Sequence, residues 1–400
     1  LHGYFYYLFK INCEIASKLG RDVLTILKTS KFEAGFLYSQ DVTTLMDDFD
    51  STVELFSEFH KWLVDSYMSE IIQAMEKSVS LGLFKETSFI NEFYDLVTNP
   101  SNSGRFFLDE IFHLIFMNHE QISDLYKRER KTIETAVRMD LGNKLKKNDT
   151  FLEEYSNFLA SLENNEQTEA DENDTTETDI IEEDDDVGTS SNDRIKNAMR
   201  KYRSFILWLA SRPVGFDVGK STSKNARQMK WLGDRTPPQD ILESINRSAS
   251  IIKSLGPLYN PLNKFFKSIA TRYGKFRKLM QAENRFYHPD SVLRKKINGT
   301  ELDLLIFTKL KIASDLLRKQ QLANDESKLT SLLKPVKENY RAQVLVDEAP
   351  DFSPLQLGCM KLMAHPKINS FFACGDFNQR LVSGGTRDVS IIKEFLPGSD

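Results

Sequence analysis

The chain has 400 residues, of which 40% are hydrophobic and 28% charged, with a formal net charge of −5. That make-up excludes a disordered or fibrous protein and fits two or three soluble globular domains with ample core. Cys13, Cys359 and Cys374 provide no disulfide framework, the six histidines are not spaced as zinc ligands, and no apolar run reaches membrane-span length. These features predict a reducing, cytoplasmic setting and no membrane.

The acidity is local. Residues 163–186 hold thirteen acidic side chains and no Lys or Arg, which leaves the remainder at +8 and favours a polyanionic partner. Leu1 to Phe9 is aromatic-rich but lacks the basic start and the small-residue cleavage site of a signal peptide. The chain starts without Met and stops just after a strand–helix unit, so it is expected to be a fragment whose N- and C-terminal neighbours are missing.

Residues 1–160 read as mainly helical. Leu45, Phe49, Val53, Phe56, Phe59, Leu63, Tyr67, Ile71 and Met75 step by three or four. That period predicts one long amphipathic helix ending near Gly82, its stripe packed in a core. Residues 99–104 are a loop signal, 106–117 a buried helix and 127–147 a charged helix with a solvated face. Residues 161–193 form an acidic linker too poor in apolar side chains to offset the entropy of ordering.

Residues 194–336 are a second helical region. Helices are expected over 194–209, from Thr236-Pro237-Pro238 through Leu255, over 301–322, and over 327–334 with Pro335 as the stop. Gly215-Phe216-Asp217-Val218-Gly219-Lys220-Ser221 has one residue too few for a phosphate-binding loop. From Lys264 to Arg285, cations interleave with Phe265, Phe266, Tyr273 and Phe276. That pattern suits nucleic acid, with aromatics stacked on bases, or an amphipathic helix with its aromatics turned inward.

Residues 337–400 carry the chemistry. Val344-Leu345-Val346 ends in Asp347 and Glu348; Phe371-Phe372-Ala373-Cys374 ends in Gly375 and Asp376, with Gln379 beyond. Between the runs, Ser353 as N-cap, Pro354 in the first turn and Gln356 closing a capping box open a helix. Leu355, Cys359, Leu362 and Met363 are its apolar face. Strand–helix–strand at this length predicts parallel strands, with both polar clusters at their carboxyl ends, where open α/β sheets bind ligands. Asp347 is suited to Mg²⁺, which takes one or two protein carboxylates plus phosphate oxygens. Glu348 is suited to orienting water, and Gln379 to sensing a terminal phosphate. Taken singly, either cluster also fits an ordinary solvated strand end.

VDEAPDFS and GDFNQ together resemble motifs II and III of UvrD/Rep-type superfamily 1 helicases. The resemblance is specific over residues 341–398. It implies Asp347 as the Mg²⁺ ligand, Glu348 as the general base, and Gly375, Asp376 and Gln379 as the third motif around ATP. Pro350 stands where that family has Gln, and Arg380-Leu381-Val382 where it has base-stacking aromatics. The phosphate-binding Lys of the family is not found here.

The expected fold is α/β with a large all-α portion: a partial RecA-like P-loop NTPase parallel sheet at the C-terminal end, preceded by a mainly helical insert. The expected function is an ATP-dependent motor on nucleic acid, single-stranded DNA first, with this segment alone inactive. The alternatives are a non-catalytic helicase-like scaffold and an ATPase that does not unwind.

Overall fold

In the computed structural model the three- and four-residue apolar periods become helix and the short apolar runs become strand. The structure describes residues 36–38, 49–84, 87–98, 108–164, 191–213, 216, 223–287, 296–318 and 333–376. In chain order these hold β1 (Leu37–Tyr38), α1 (Phe49–Ser80), α2 (Thr87–Thr98), α3 (Leu108–Met117), α4 (His119–Lys147), α5 (Phe151–Asn164) and α6 (Ser191–Ala210). There follow α7 (Lys224–Leu232), α8 (Gln239–Leu255), α9 (Pro261–Ala282), β2 (Lys296–Ile297), α10 (Gly299–Arg318), α11 (Leu333–Glu338), β3 (Gln343–Val346), α12 (Pro354–Leu362) and β4 (Ser370–Ala373). The described chain is mostly helix, with two separate parallel pairs, β1–β2 and β3–β4.

The chain divides into two units that interleave in sequence rather than follow its changes of composition. One holds Leu1–Ser69, Pro100–His113 and Pro261–Asp400; the other holds Glu70–Asn99 and Leu114–Asn260.

The long predicted helix is α1. Phe59, Leu63, Tyr67, Ile71 and Met75 are buried. Gly82 stops it at φ 64°, while the Leu83 amide reaches back to the Ser78 carbonyl at 3.1 Å. Only glycine adopts that left-handed geometry without strain.

In the second unit, α8 packs on α4 and α6, and α5 packs on α6. The solvated face predicted for residues 127–147 is present, with Lys127, Arg128, Lys131, Arg138, Lys146 and Lys147 exposed, while Glu129, Asp140 and Lys144 of the same helix α4 are buried. The Asp140 carboxylate takes hydrogen bonds from Lys144 Nζ and from the Tyr202 hydroxyl, each at 2.5 Å. Glu129 accepts from the Ser248 hydroxyl at 2.9 Å. A single charged group on such a helix can leave the water when it finds a partner inside.

In the first unit, α9 settles the alternatives for residues 264–285. Phe265, Phe266, Tyr273 and Phe276 are all fully buried, so they fill core rather than stack on bases. Lys267, Lys275 and Lys278 remain exposed. Arg277 turns inward and pairs with Glu301 of α10, Nε to Oε1 at 2.7 Å. Glu301 also accepts from the Tyr273 hydroxyl at 3.0 Å and from the Asn298 amide at 2.9 Å. Asn298 caps α10 in return by accepting the Glu301 amide at 2.9 Å. The stop expected at Pro335 is corrected, since Pro335 lies inside α11 and the helix runs on to Glu338. In a first turn the proline's missing N–H has no intrahelical partner to lose.

The acidic linker lies outside the described residues apart from its two ends. So do the near P-loop, except for Phe216, and all residues beyond Asp376.

Candidate functional site

The strand–helix–strand prediction is met. β3 and β4 are parallel and in register, Val344 beside Phe371, Leu345 beside Phe372 and Val346 beside Ala373. The ladder extends past both ends. Upstream, the Arg341 amide donates to the Met363 carbonyl at 2.9 Å and the Arg341 carbonyl accepts the His365 amide at 2.8 Å, either side of a bridge to Ala364. Downstream, the Cys374 amide donates to the Val346 carbonyl and the Ala349 amide to the Cys374 carbonyl, both at 2.9 Å. The two strand tips are thus zipped together where the polar residues begin.

α12 forms as its sequence dictates. The Ser353 hydroxyl accepts the Gln356 amide at 3.2 Å, and the Gln356 side chain accepts the Ser353 amide at 3.1 Å. Leu355, Cys359, Leu362 and Met363 are buried, as expected. Val346, Ala349, Leu357 and Met360 form a small core that Val344, Phe352, Phe371 and Ala373 border. The other sheet face is apolar yet open: Leu345 is 67% and Phe372 58% exposed.

Gln356 does more than cap. Its amide Nε2 donates to Asp303 Oδ2 of α10 at 2.9 Å, which ties the crossover helix to the buried helix α10. Burial, and then the nearby Asp303 charge, push the Cys359 thiol well above its ordinary range. It is an inert core group.

Asp347 and Glu348 sit exposed at the β3 tip, and Gly375 and Asp376 exposed at the β4 tip. The Glu348 backbone is left-handed, φ 53° and ψ 43°, a rare conformation for a residue with a long side chain. It starts a 3₁₀ turn over Ala349–Asp351. That turn presses Pro350 against the β4 tip. A Cβ on Gly375 would lie 3.0 Å from the Ala349 nitrogen and 3.1 Å from Pro350 Cγ, with Cδ closer still. Only glycine fits there. Pro350 is therefore a packed component of the tip.

Asp347 Oδ1 accepts two hydrogen bonds, from the Glu348 amide at 3.0 Å and from the Cys374 thiol at 3.5 Å. The thiol also lies 3.7 Å from the Val346 carbonyl. Partial desolvation, the hydrogen bond to Asp347 and the charges of Asp347 and Glu348 all push the Cys374 thiol above its ordinary range.

Of the site residues expected from sequence, Asp347, Glu348, Gly375 and Asp376 are gathered at the two adjacent tips; Gln379 lies outside the described residues. Cys374 was not singled out. Its signal was present, since a parallel register aligning Val346 with Ala373 carries Asp347 alongside Cys374.

Among the described residues no group of three or more His, Cys, Asp and Glu can enclose a metal. A closed zinc-type centre is therefore absent from them. One or two exposed carboxylates at a strand tip still fit magnesium, whose remaining ligands are phosphate oxygens and water. Among the described residues no helix is long and apolar enough to cross a membrane. Comparison with protein-family models, curated proteins and solved structures gives no match.

Proposed function

We propose that residues 337–400 supply the water- and metal-handling half of an ATP-hydrolysing site, in a nucleic-acid motor of the UvrD/Rep superfamily 1 type. One observation carries this reading: the parallel, in-register pair β3–β4 sets Asp347 and Glu348 beside Gly375 and Asp376 at adjacent carboxyl ends. That is the ligand-binding edge of an open α/β sheet. The open apolar face at Leu345 and Phe372 supports a larger sheet, because parallel strands are normally covered on both faces. A RecA-like sheet would supply the missing strands and layer.

In this mechanism ATP is the substrate. Asp347 would hold Mg²⁺, which when bound supplies charge stabilisation at the phosphates. Glu348 orients the attacking water and accepts its proton. Its left-handed backbone turns the chain sharply after Asp347, so the two consecutive carboxylates need not serve the same point. Gly375 lets the β4 tip approach the turn, and Gln379 senses the terminal phosphate. A phosphate-binding Lys and an arginine finger are also required. The 400-residue chain by itself is expected to turn over ATP negligibly.

Nucleic acid is the proposed partner, single-stranded DNA first, in a cytoplasmic setting. The resemblance supports it, together with exposed Lys267, Lys275 and Lys278 on α9, which suit phosphates rather than bases.

The test is ATP hydrolysis by the complete protein, with and without single-stranded DNA, beside Glu348→Gln. Wild-type turnover should be stimulated by DNA and lost in the variant. Equal rates in the two proteins would remove Glu348 from the chemistry. Turnover indifferent to DNA would favour an ATPase that does not move on strands. A helicase-like scaffold is the second reading, favoured by the Pro350 ring packed at the tip where the family has Gln. It predicts no turnover at all.

A further inference from the structure

We infer that Cys374 is a positioning residue for Asp347: its thiol and the Glu348 amide together hold Oδ1, so that Oδ2 is the oxygen offered to a cation. The inference rests on the nucleotide reading and names a role that reading left open.

The two donors come from different places. The Glu348 amide is local, at 3.0 Å, and belongs to the residue after the carboxylate. The thiol crosses from β4, at 3.5 Å. The pair thus fixes the carboxylate both to its own turn and to the neighbouring strand. Cys374 is held for the purpose: its amide is bonded to Val346 and its carbonyl to the Ala349 amide, both at 2.9 Å. Its Cα therefore stands at the register position next to Asp347, within reach of the carboxylate. Among the described residues no donor reaches Oδ2.

An unfixed exposed aspartate samples several rotamers, and binding a cation must then cost the entropy of choosing one. A carboxylate already oriented through one oxygen avoids much of that cost. A thiol is a weak donor, so it orients the group without competing strongly for its charge. The stronger amide bond supplies most of the restraint, and the thiol selects the rotamer that faces β4.

Two measurements test this, one without nucleotide and one with it. In the 400-residue chain, the infrared S–H stretching band of Cys374 is isolated as the difference between wild type and Cys374→Ala. Cys13 and Cys359 cancel in that difference. The band should lie at the lowered frequency of a bonded thiol and move up in Asp347→Ala, where only the Val346 carbonyl remains. A band that does not move in Asp347→Ala overturns the inference, whatever the protein does with ATP. In the complete protein, Cys374→Ala should raise the Mg²⁺ concentration for half-maximal ATP turnover about three- to tenfold, the scale of one modest hydrogen bond. Cys374→Ser, which keeps a donor, should stay within about twofold of wild type. Turnover with an unchanged Mg²⁺ requirement in Cys374→Ala sinks the role of Cys374 and leaves the nucleotide reading standing. Absence of turnover in the wild type sinks that reading, and the role of Cys374 toward a cation with it.

Discussion

Glu301 and Glu348 are the same side chain put to opposite uses within one unit of the chain. Glu301 is sealed: it is fully buried, pairs with Arg277, accepts from Tyr273 and closes the cap of α10 with Asn298. Glu348 is open, at the end of a strand, on a left-handed backbone. A buried carboxylate whose oxygens are all engaged has no capacity left for a ligand. An exposed one contributes little to folding and remains available to solvent and solute. The difference separates architecture from chemistry more clearly than residue type does.

The largest expected effects come from exchanging these roles by mutation. Glu301→Ala leaves the buried Arg277 guanidinium without its carboxylate and should lower stability by about 3–5 kcal/mol, read as a lower urea midpoint. Glu348→Gln should change stability by less than about 0.5 kcal/mol, as a surface substitution does. In the complete protein it should cut ATP turnover by about 10²–10⁴-fold, the usual contribution of a positioned general base. A large stability loss in Glu348→Gln, or none in Glu301→Ala, would break the contrast.

Gly375→Ala tests whether the two strand tips are truly zipped. The new methyl meets the Pro350 ring and the Ala349 nitrogen, so the tips must part. The expected loss is about 1–3 kcal/mol, as for overpacking a well-filled site. Adding Pro350→Ala should restore part of it, giving a coupling of about 0.5 kcal/mol or more in a double-mutant cycle. Strict additivity would mean that the turn and the β4 tip are not in contact.

His60 on α1 sharpens the comparison from the side of pH. Burial first, and then the Lys311 charge, lower its pKa from 6.5 to about 4, while Asp315 acts in the opposite direction. The native state therefore keeps the ring neutral, and the unfolded chain binds the extra proton between those values. Stability from this source is complete above pH 6.5 and is lost as pH falls towards 4. The loss should be on the order of 2 kcal/mol between pH 7 and pH 4.5. Urea titrations at the two pH values should show a smaller drop in His60→Leu than in wild type.

The sequence spoke most clearly where partners are neighbours in the chain. The Ser353–Gln356 capping box, the stripe of α1 and the strand ends at Asp347 and Gly375 each depend on residues a few positions apart. Register then follows from aligning two short apolar runs. The Asp140–Tyr202 bond, 62 residues apart in sequence, and the Arg277–Glu301 pair have no local signature. Lys144 and Arg277 look like any surface cation until the fold supplies a carboxylate. For the same reason the basic run on α9 mixes exposed lysines with one deeply buried arginine. Pro335 misled because its meaning depends on where a helix starts: a proline is tolerated in the first turn and stops a helix only further in.

Ser353 and Gln356 offer the finest distinction. Both belong to the same capping box, so a purely local role predicts equal costs. Ser353→Ala removes one bond to the Gln356 amide and should cost about 1 kcal/mol, the usual value for a lost N-cap. Gln356→Ala removes its half of the box and also leaves Asp303, a nearly buried carboxylate, without its donor from α12. Losing a hydrogen bond to a charged group adds about 1.5 kcal/mol or more. Gln356→Ala should therefore exceed Ser353→Ala by at least that margin in urea denaturation. Gln356→Glu should restore the box but set a second negative charge beside Asp303. It should fall below wild type at neutral pH. Equal costs for the two alanine variants would show that α12 is held only by its own cap and its apolar face, with the Asp303 contact adding nothing.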